Sequence, residues 1–296
     1  MLRPDQIGAS TSCLANYDLP TALATLARLG FAAVELLAVA GARHSIGWLP
    51  GFWFETLTGA EREALRQSLR PFRGLSVHAP FVDTPLFTYN SWIARESLRQ
   101  VRVTIEGAGW LGARVVVVHV NRHPYLEPRD YWTEMLQVLR SLGEVARPLG
   151  VQVGIETGYP DRYDLFVDLI HAIRHPAVGA TLDVGHVAYL PESGPPGTAE
   201  GERRTNANLR RLCRDLGEKI VHIHLHDVRR TDWRDHRALG TGFLDLPGLI
   251  ADLDQLGYSG LLQLELEEED QIGALRQSQV LLARLLGASR GAPEGG

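Results

Sequence analysis

Two short stretches concentrate the groups that move protons and bind metals. VHIHLHD (221–227) alternates Val221, Ile223 and Leu225 with His222, His224 and His226. LLQLELE (261–267) alternates Leu262, Leu264 and Leu266 with Gln263, Glu265 and Glu267. A period of two marks a β-strand with one apolar face. If the apolar faces meet helices, the imidazoles and carboxylates point inward, where burial without partners is costly. VQVGIE (151–156) places Glu156 inward by the same rule, and ATLD ends on Asp183 with His186 on the next turn. Two further strands end at His78 and His119. Imidazole and carboxylate together suit Zn2+, Mn2+, Fe2+ or Co2+, and one divalent cation would neutralise the acids and satisfy the rings. A metal site is the expectation, and a metal-free polar cluster is the alternative.

The elements that must position these groups alternate along the chain. Strands are expected near 5–10, 31–37, 74–79, 114–120, 151–157, 178–184, 220–226 and 261–267. Amphipathic helices are expected near 19–29, 59–70, 91–111, 129–148, 161–174, 202–217, 247–256 and 270–287. Eight strands, each followed by a helix, most economically close into a single α/β (β/α)8 TIM barrel over residues 1–287. A doubly wound sheet is the structural alternative. Residues 288–296 read as a disordered tail. Two long loops, 38–58 and 191–204, leave the C-terminal ends of strands two and six, where barrel enzymes build their sites. Trp48, Phe52, Trp53 and Phe54 in the first loop either pack it onto the barrel or, as Trp48 and Trp53 suggest, stack on substrate.

Composition closes several routes. The chain has 296 residues and a net charge of −5, which gives no electrostatic reason to expect nucleic acid as partner. Lys219 is the only lysine, so no phosphate loop ending in Gly-Lys exists. It also sits at the start of strand seven, the wrong end for a Schiff-base aldolase. No Gly-x-Ser-x-Gly nucleophile elbow occurs, and Gly240 with Gly242 is weak evidence for a dinucleotide site. Two cysteines, Cys13 and Cys213, make neither a disulfide framework nor a four-thiolate zinc site. With no apolar leader and no membrane-length apolar run, a soluble, cytoplasmic chain acting on a small-molecule substrate is expected, with no membrane partner. The long loops could close over substrate or pack against a second subunit in a homo-oligomer.

SVHAPF (76–81), VVVVHVN (115–121), GIET (154–157), LDVGH (182–186), HIHLHD (222–227), DHRALGTG (235–242) and GYSGLLQLELE (257–267) together resemble the xylose-isomerase-like barrel superfamily. That group includes sugar isomerases and epimerases, inosose dehydratases and endonuclease IV. The resemblance implies an inner metal site of Glu156, Asp183, His224 and Glu265. It implies a second cluster from His78 and His119, and a third from His186 and His236, giving one to three ions. The aspartate expected two residues before His236 is replaced by Arg234, with Asp235 and Asp232 as the nearby substitutes. Glu35 resembles an acid that orients a neighbouring ligand rather than binding the ion.

Two chemistries fit such a site. In isomerisation or epimerisation of a sugar, polyol or sugar phosphate, a metal-stabilised enediolate would form while Glu156 and Glu265 exchange the proton. His186 would bind or polarise a substrate oxygen, and by analogy with the epimerases Arg230 would contact substrate hydroxyls. Arg162 stands where those epimerases have an acidic substrate contact, so a keto-hexose specificity is not carried over. The alternative is multinuclear phosphodiester hydrolysis, more plausibly of a small molecule than of DNA. A metal-binding barrel without catalysis is the third reading. His226 and Asp227 are candidates for substrate binding or for anchoring a loop, and His44 and His123 lie on loops near the mouth.

Overall fold

The apolar halves of the alternating segments are buried against the helices. Val153, Ile155, Ile223, Leu225, Leu262 and Leu264 are each 1% exposed or less, within one continuous apolar cluster. In the computed structural model, which describes residues 1–288, the strands are β1 (Ile7–Ser10), β2 (Ala33–Leu37), β3 (Gly74–His78), β4 (Val115–Val118), β5 (Gln152–Glu156), β6 (Val178–Asp183), β7 (Ile220–Leu225) and β8 (Leu262–Leu264). They pair in parallel and close as β1-β8-β7-β6-β5-β4-β3-β2, a single (β/α)8 barrel as expected. The helices are α1 (Leu19–Arg28), α2 (Gly59–Ser68), α3 (Ser91–Leu111), α4 (Trp132–Ala146), α5 (Tyr163–Ile173), α6 (Ala199–Leu216), α7 (Leu246–Gln255) and α8 (Gln271–Ala288). Of the expected tail, 289–296 lies outside the described residues. No helix among the described residues is long and apolar enough to cross a membrane.

Side-chain acceptors start the helices where the sequence offers them. Asp18 caps α1 through the Thr21 N–H, Asn90 caps α3 through Trp92 and Ile93, and Thr58 forms a reciprocal box with Glu61 on α2. Each such cap satisfies donors that would otherwise be orphaned. Thr198 does the same for α6, which corrects the expected loop: residues 199–204 are the first turns of that helix. Strand eight is also shorter than expected. After Leu264 the Glu265 N–H still bonds to Leu225, but the Glu267 N–H turns to the His236 carbonyl.

The inward face is polar even in the middle of the barrel. Gly8 and Gly154 make room for this filling, because a Cβ there would lie 2.0 Å from Gln263 Oε1 and 2.2 Å from Thr181 Oγ1 respectively. Most aromatic residues of loop 38–58 pack onto the barrel. Phe52 is buried, Phe54 packs edge-on against Trp110, and Trp53 covers a small cluster of Leu37, Val39, Ala42 and Leu49. Its tip is a hairpin in which Arg43–His44 pairs with Gly47–Trp48, leaving Trp48 exposed.

A second hairpin, Asp227–Arg229 with Arg234–Arg237, follows β7. Asp227 anchors the loop beyond it. Its Oδ1 accepts from Val228 and Leu244, and its Oδ2 accepts from Gly240 and Gly242. The two glycines therefore wrap a carboxylate rather than a dinucleotide. Asp227→Asn puts an amide N–H2 against two backbone donors and is expected to cost about 1–3 kcal/mol. Thermal unfolding should show a midpoint several degrees lower, and an unchanged midpoint would contradict the anchoring role.

Candidate metal centre

The ladder register sets Asp183 of β6 directly beside His224 of β7, and Glu156 of β5 beside Thr181. Glu265 arrives from just beyond β8. One ligand atom from each of Glu156, Asp183, His224 and Glu265 lies within 4.8 Å of the others. His224 Nδ1 is the hub, at 3.1 Å from Glu156 Oε1, 2.9 Å from Glu265 Oε2 and 3.8 Å from Asp183 Oδ2.

The ring of His224 is oriented from below. Its Nε2 lies 3.1 Å from Glu35 Oε1, across the barrel on β2, which leaves Nδ1 facing the acids. Glu35 also takes His222 Nε2 at 3.0 Å and the Ser76 hydroxyl at 2.9 Å, and Gln263 donates to Ser76. A carboxylate that fixes a ligand imidazole in this way sets its tautomer and raises its basicity.

Two more groups adjoin the first. His78 donates Nδ1–H to the Ala79 carbonyl at 2.8 Å, which turns Nε2 toward Glu156 Oε2 at 3.3 Å. His119 Nε2 stands 2.5 Å from the same oxygen, yet both atoms are buried without a hydrogen bond. On the other side, His186 donates Nδ1–H to the Thr157 carbonyl at 2.8 Å, and its Nε2 faces Asp235 at 3.9 Å. His236 Nδ1 lies 3.1 Å from Asp235 Oδ1. Asp235 is thus the acid that comes together with His186 and His236, whereas Asp232 pairs with Arg229 at the surface.

The electrostatics follow from this crowding. Burial pushes the Glu156 carboxyl up, but His119 and His224 more than reverse that and hold it well below the carboxylate range. Burial likewise opposes ionisation of Asp183, and His186 and His226 overcome it. Burial depresses the imidazoles, but the surrounding carboxylates win: His78 is pushed up to about 9, His236 to about 10, and His224 well above its ordinary value. Clustered acids drawing protons onto nearby rings, with Glu156 Oε2 and His119 Nε2 close together but making no hydrogen bond, fit a divalent cation with N/O ligands.

A cavity of about 220 Å3 opens onto these groups, lined by Glu156, Glu265, His78, His119, His186 and His236. Phe81, Val82, Leu37 and Leu49 form its apolar wall, and Ser12, Arg43, His44 and Glu267 complete it. A larger hollow of about 470 Å3, at the opposite end near Lys219, lies among Arg114, Lys219 and Tyr258 and has no comparable cluster.

Several candidates stand elsewhere. Arg230 pairs with Glu202 and the Gly242 carbonyl and does not line the cavity. Trp48 and Trp53 do not line it either; their neighbours Arg43, His44 and Leu49 do. His226 is fully buried: its Nδ1 accepts the His236 N–H, so Nε2–H donates to Asp183 at 2.8 Å. It positions two candidate ligands instead of facing the cavity. His123 accepts two backbone N–H bonds within its own loop. Cys13 and Cys213 are buried, and burial pushes both thiols up to about 12. Arg43 could not be singled out from sequence, because no periodic pattern extends into its loop.

Similar proteins are found at low identity. An uncharacterised Methanocaldococcus jannaschii protein, MJ1311, is 28% identical over 199 residues, covering 64% of this chain and 63% of its own. The inosose isomerase of Bacillus licheniformis is 23% identical over 183 residues, covering 58% and 60%. The chain thus spans less than two thirds of either relative. Among solved structures, a D-tagatose 3-epimerase-like protein superposes with a TM-score of 0.71 at 21% identity, covering 96% of this chain and 98% of that one. A Mycobacterium smegmatis xylose isomerase-like barrel in complex with magnesium gives 0.70 at 17% identity, covering 98% and 99%. The IOLI protein with a bound zinc atom also gives 0.70 at 17%, covering 95% and 98%. The family model described as xylose isomerase-like TIM barrel matches residues 23–285, nearly the whole wall and mouth described above, and the chain belongs to that family.

Proposed function

We propose that the protein is a divalent-metal-dependent isomerase or epimerase acting on a sugar, polyol or sugar phosphate. The observation that carries this reading is the meeting of Glu156 and Glu265, which line one small cavity, with the buried Asp183 and His224. Neighbours bearing the names of sugar epimerases and an inosose isomerase support it. A cation held by those four residues would polarise adjacent substrate oxygens and acidify the carbon between them. Glu156 and Glu265 arrive from different strands, so one carboxylate oxygen can take the proton while the other returns one. His186, pinned through Nδ1, keeps Nε2 for a substrate oxygen. Phe81, Val82, Leu37 and Leu49 give the cavity one apolar side.

A second reading, phosphodiester hydrolysis, is favoured by one specific feature. His78 and His119 gather on Glu156, and His186, Asp235 and His236 form a further group. Two or three ions bridged by shared carboxylates could clamp a phosphoryl group. Metal content measured by plasma mass spectrometry on the reconstituted protein separates the readings. About one ion per chain supports isomerase or epimerase chemistry, and two or three move the assignment to hydrolysis. A barrel that binds metal but turns over neither ketoses nor phosphodiesters would leave a non-catalytic role.

Glu156→Gln combined with Glu265→Gln should strongly weaken metal binding while circular dichroism remains native. Full metal occupancy in the folded double variant would remove the proposed site. Binding should also release protons, because His224, and His78 and His236 with values raised to about 9 and 10, carry protons at neutral pH before an ion arrives. Metal affinity therefore rises with pH above neutrality. Calorimetry in buffers of different ionisation enthalpy reads the proton count, and a count of zero would contradict this electrostatic account.

A further inference from the structure

The cavity wall carries a cation that the proton chemistry does not use. Arg43, on the first arm of the hairpin after β2, lines the cavity beside His44. Its guanidinium makes no hydrogen bond and has no carboxylate within ion-pair distance among the described residues. Its contact is the Trp48 ring, 5.9 Å away at the centroid. The neighbouring arginines are already matched: Arg229 with Asp232, Arg234 with Glu267, and Arg237 with Glu268. Glu267 lines the same cavity, but it is engaged by Arg234 and by the Ser45 hydroxyl at 2.7 Å.

The hairpin holds Arg43 in place. Asn16 accepts the Trp48 N–H at 3.0 Å and donates its own N–H to the Trp48 carbonyl at 2.7 Å. Leu49 N–H bonds to the Ala42 carbonyl at 2.9 Å. A second unsatisfied group sits next door. His44 donates Nε2–H to the Ser12 carbonyl at 3.2 Å, and its Nδ1 is buried without a partner. Two adjacent residues on one hairpin thus present unmatched polar groups along one cavity.

We propose that Arg43 binds an anionic group of the substrate, a phosphate or a carboxylate, while His44 Nδ1 accepts from a neighbouring hydroxyl. The inference rests on the isomerase or epimerase reading for the rest of the molecule. Guanidinium matches either anion with two parallel N–H bonds. The acids at the cavity floor repel the same group, so the substrate enters with its anionic end on the hairpin and its neutral oxygens toward Glu156 and Glu265. The cavity of about 220 Å3 places Arg43 and His44 on the same wall as Glu156 and Glu265.

Calorimetric titration of the Mn2+-loaded protein with D-xylulose, D-xylulose 5-phosphate, D-glucuronate and inorganic phosphate tests this. A charge-assisted pair is worth about 1.5–3 kcal/mol, so the phosphorylated or carboxylated sugar should bind roughly 10- to 100-fold tighter than the neutral ketose. Arg43→Gln should bring the anionic sugars down to the affinity of D-xylulose, while Arg229→Gln, which alters a matched surface arginine, should keep the preference. Gain with only one of the two anionic sugars identifies which anion the hairpin takes. Equal binding of neutral and anionic sugars, a preference that survives in Arg43→Gln, or binding of none of the probes overturns the assignment. Arg43-dependent binding of inorganic phosphate without any sugar binding keeps the anion site and removes the isomerase reading.

Discussion

Glu35 has no exposed surface, and a carboxylate in that position must be matched by donors or positive charge. It is matched from two other strands, by Ser76 on β3 and by His222 and His224 on β7, and Gln263 on β8 continues the chain through Ser76. Removing one member of such a set leaves an uncompensated buried group, typically at a cost of about 3–5 kcal/mol. The set therefore ties the barrel together across its interior. It also orients the candidate centre, because the nitrogen of His224 that Glu35 does not take is the one facing Glu156, Asp183 and Glu265.

Above that level, loops do the remaining placement, and those after β2 and β7 are held by buried or half-buried acids. Asp227 gathers four backbone N–H groups. Glu267 joins the hairpin after β2, through Ser45, to the hairpin after β7, through Arg234. Rigid strands thus supply the candidate ligands, while anchored loops supply the rest of the cavity wall. This division lets one barrel keep its centre while its substrate contacts vary.

The division also explains which residues were legible in advance. His224, Glu265, Glu156 and Asp183 sit on strands or at their ends, where alternation carries direction. Their inward direction followed from the pattern VHIHLHD and its counterparts, and the family resemblance implied that they act as one set. Arg230, Trp48 and Trp53 lie on loops, and the structure takes Arg230 to Glu202 and Trp53 to a small apolar cluster. His226 had the correct inward direction, but whether it faces substrate or Asp183 depends on the chain ten residues later, where the His236 N–H caps its Nδ1. The choice between Asp232 and Asp235 turned on the path of one hairpin.

By itself, the sequence determined the closed barrel and the inward direction of its polar residues, because strand periodicity and the requirement to bury apolar faces are local properties. Tertiary structure alone decided which inward groups share a centre, which nitrogen of each imidazole is free, and which arginine remains unmatched beside the cavity. Those outcomes depend on ladder register and on contacts between segments far apart in the chain, such as Glu35 with His224 and Ser45 with Glu267. No window of neighbouring residues contains that information.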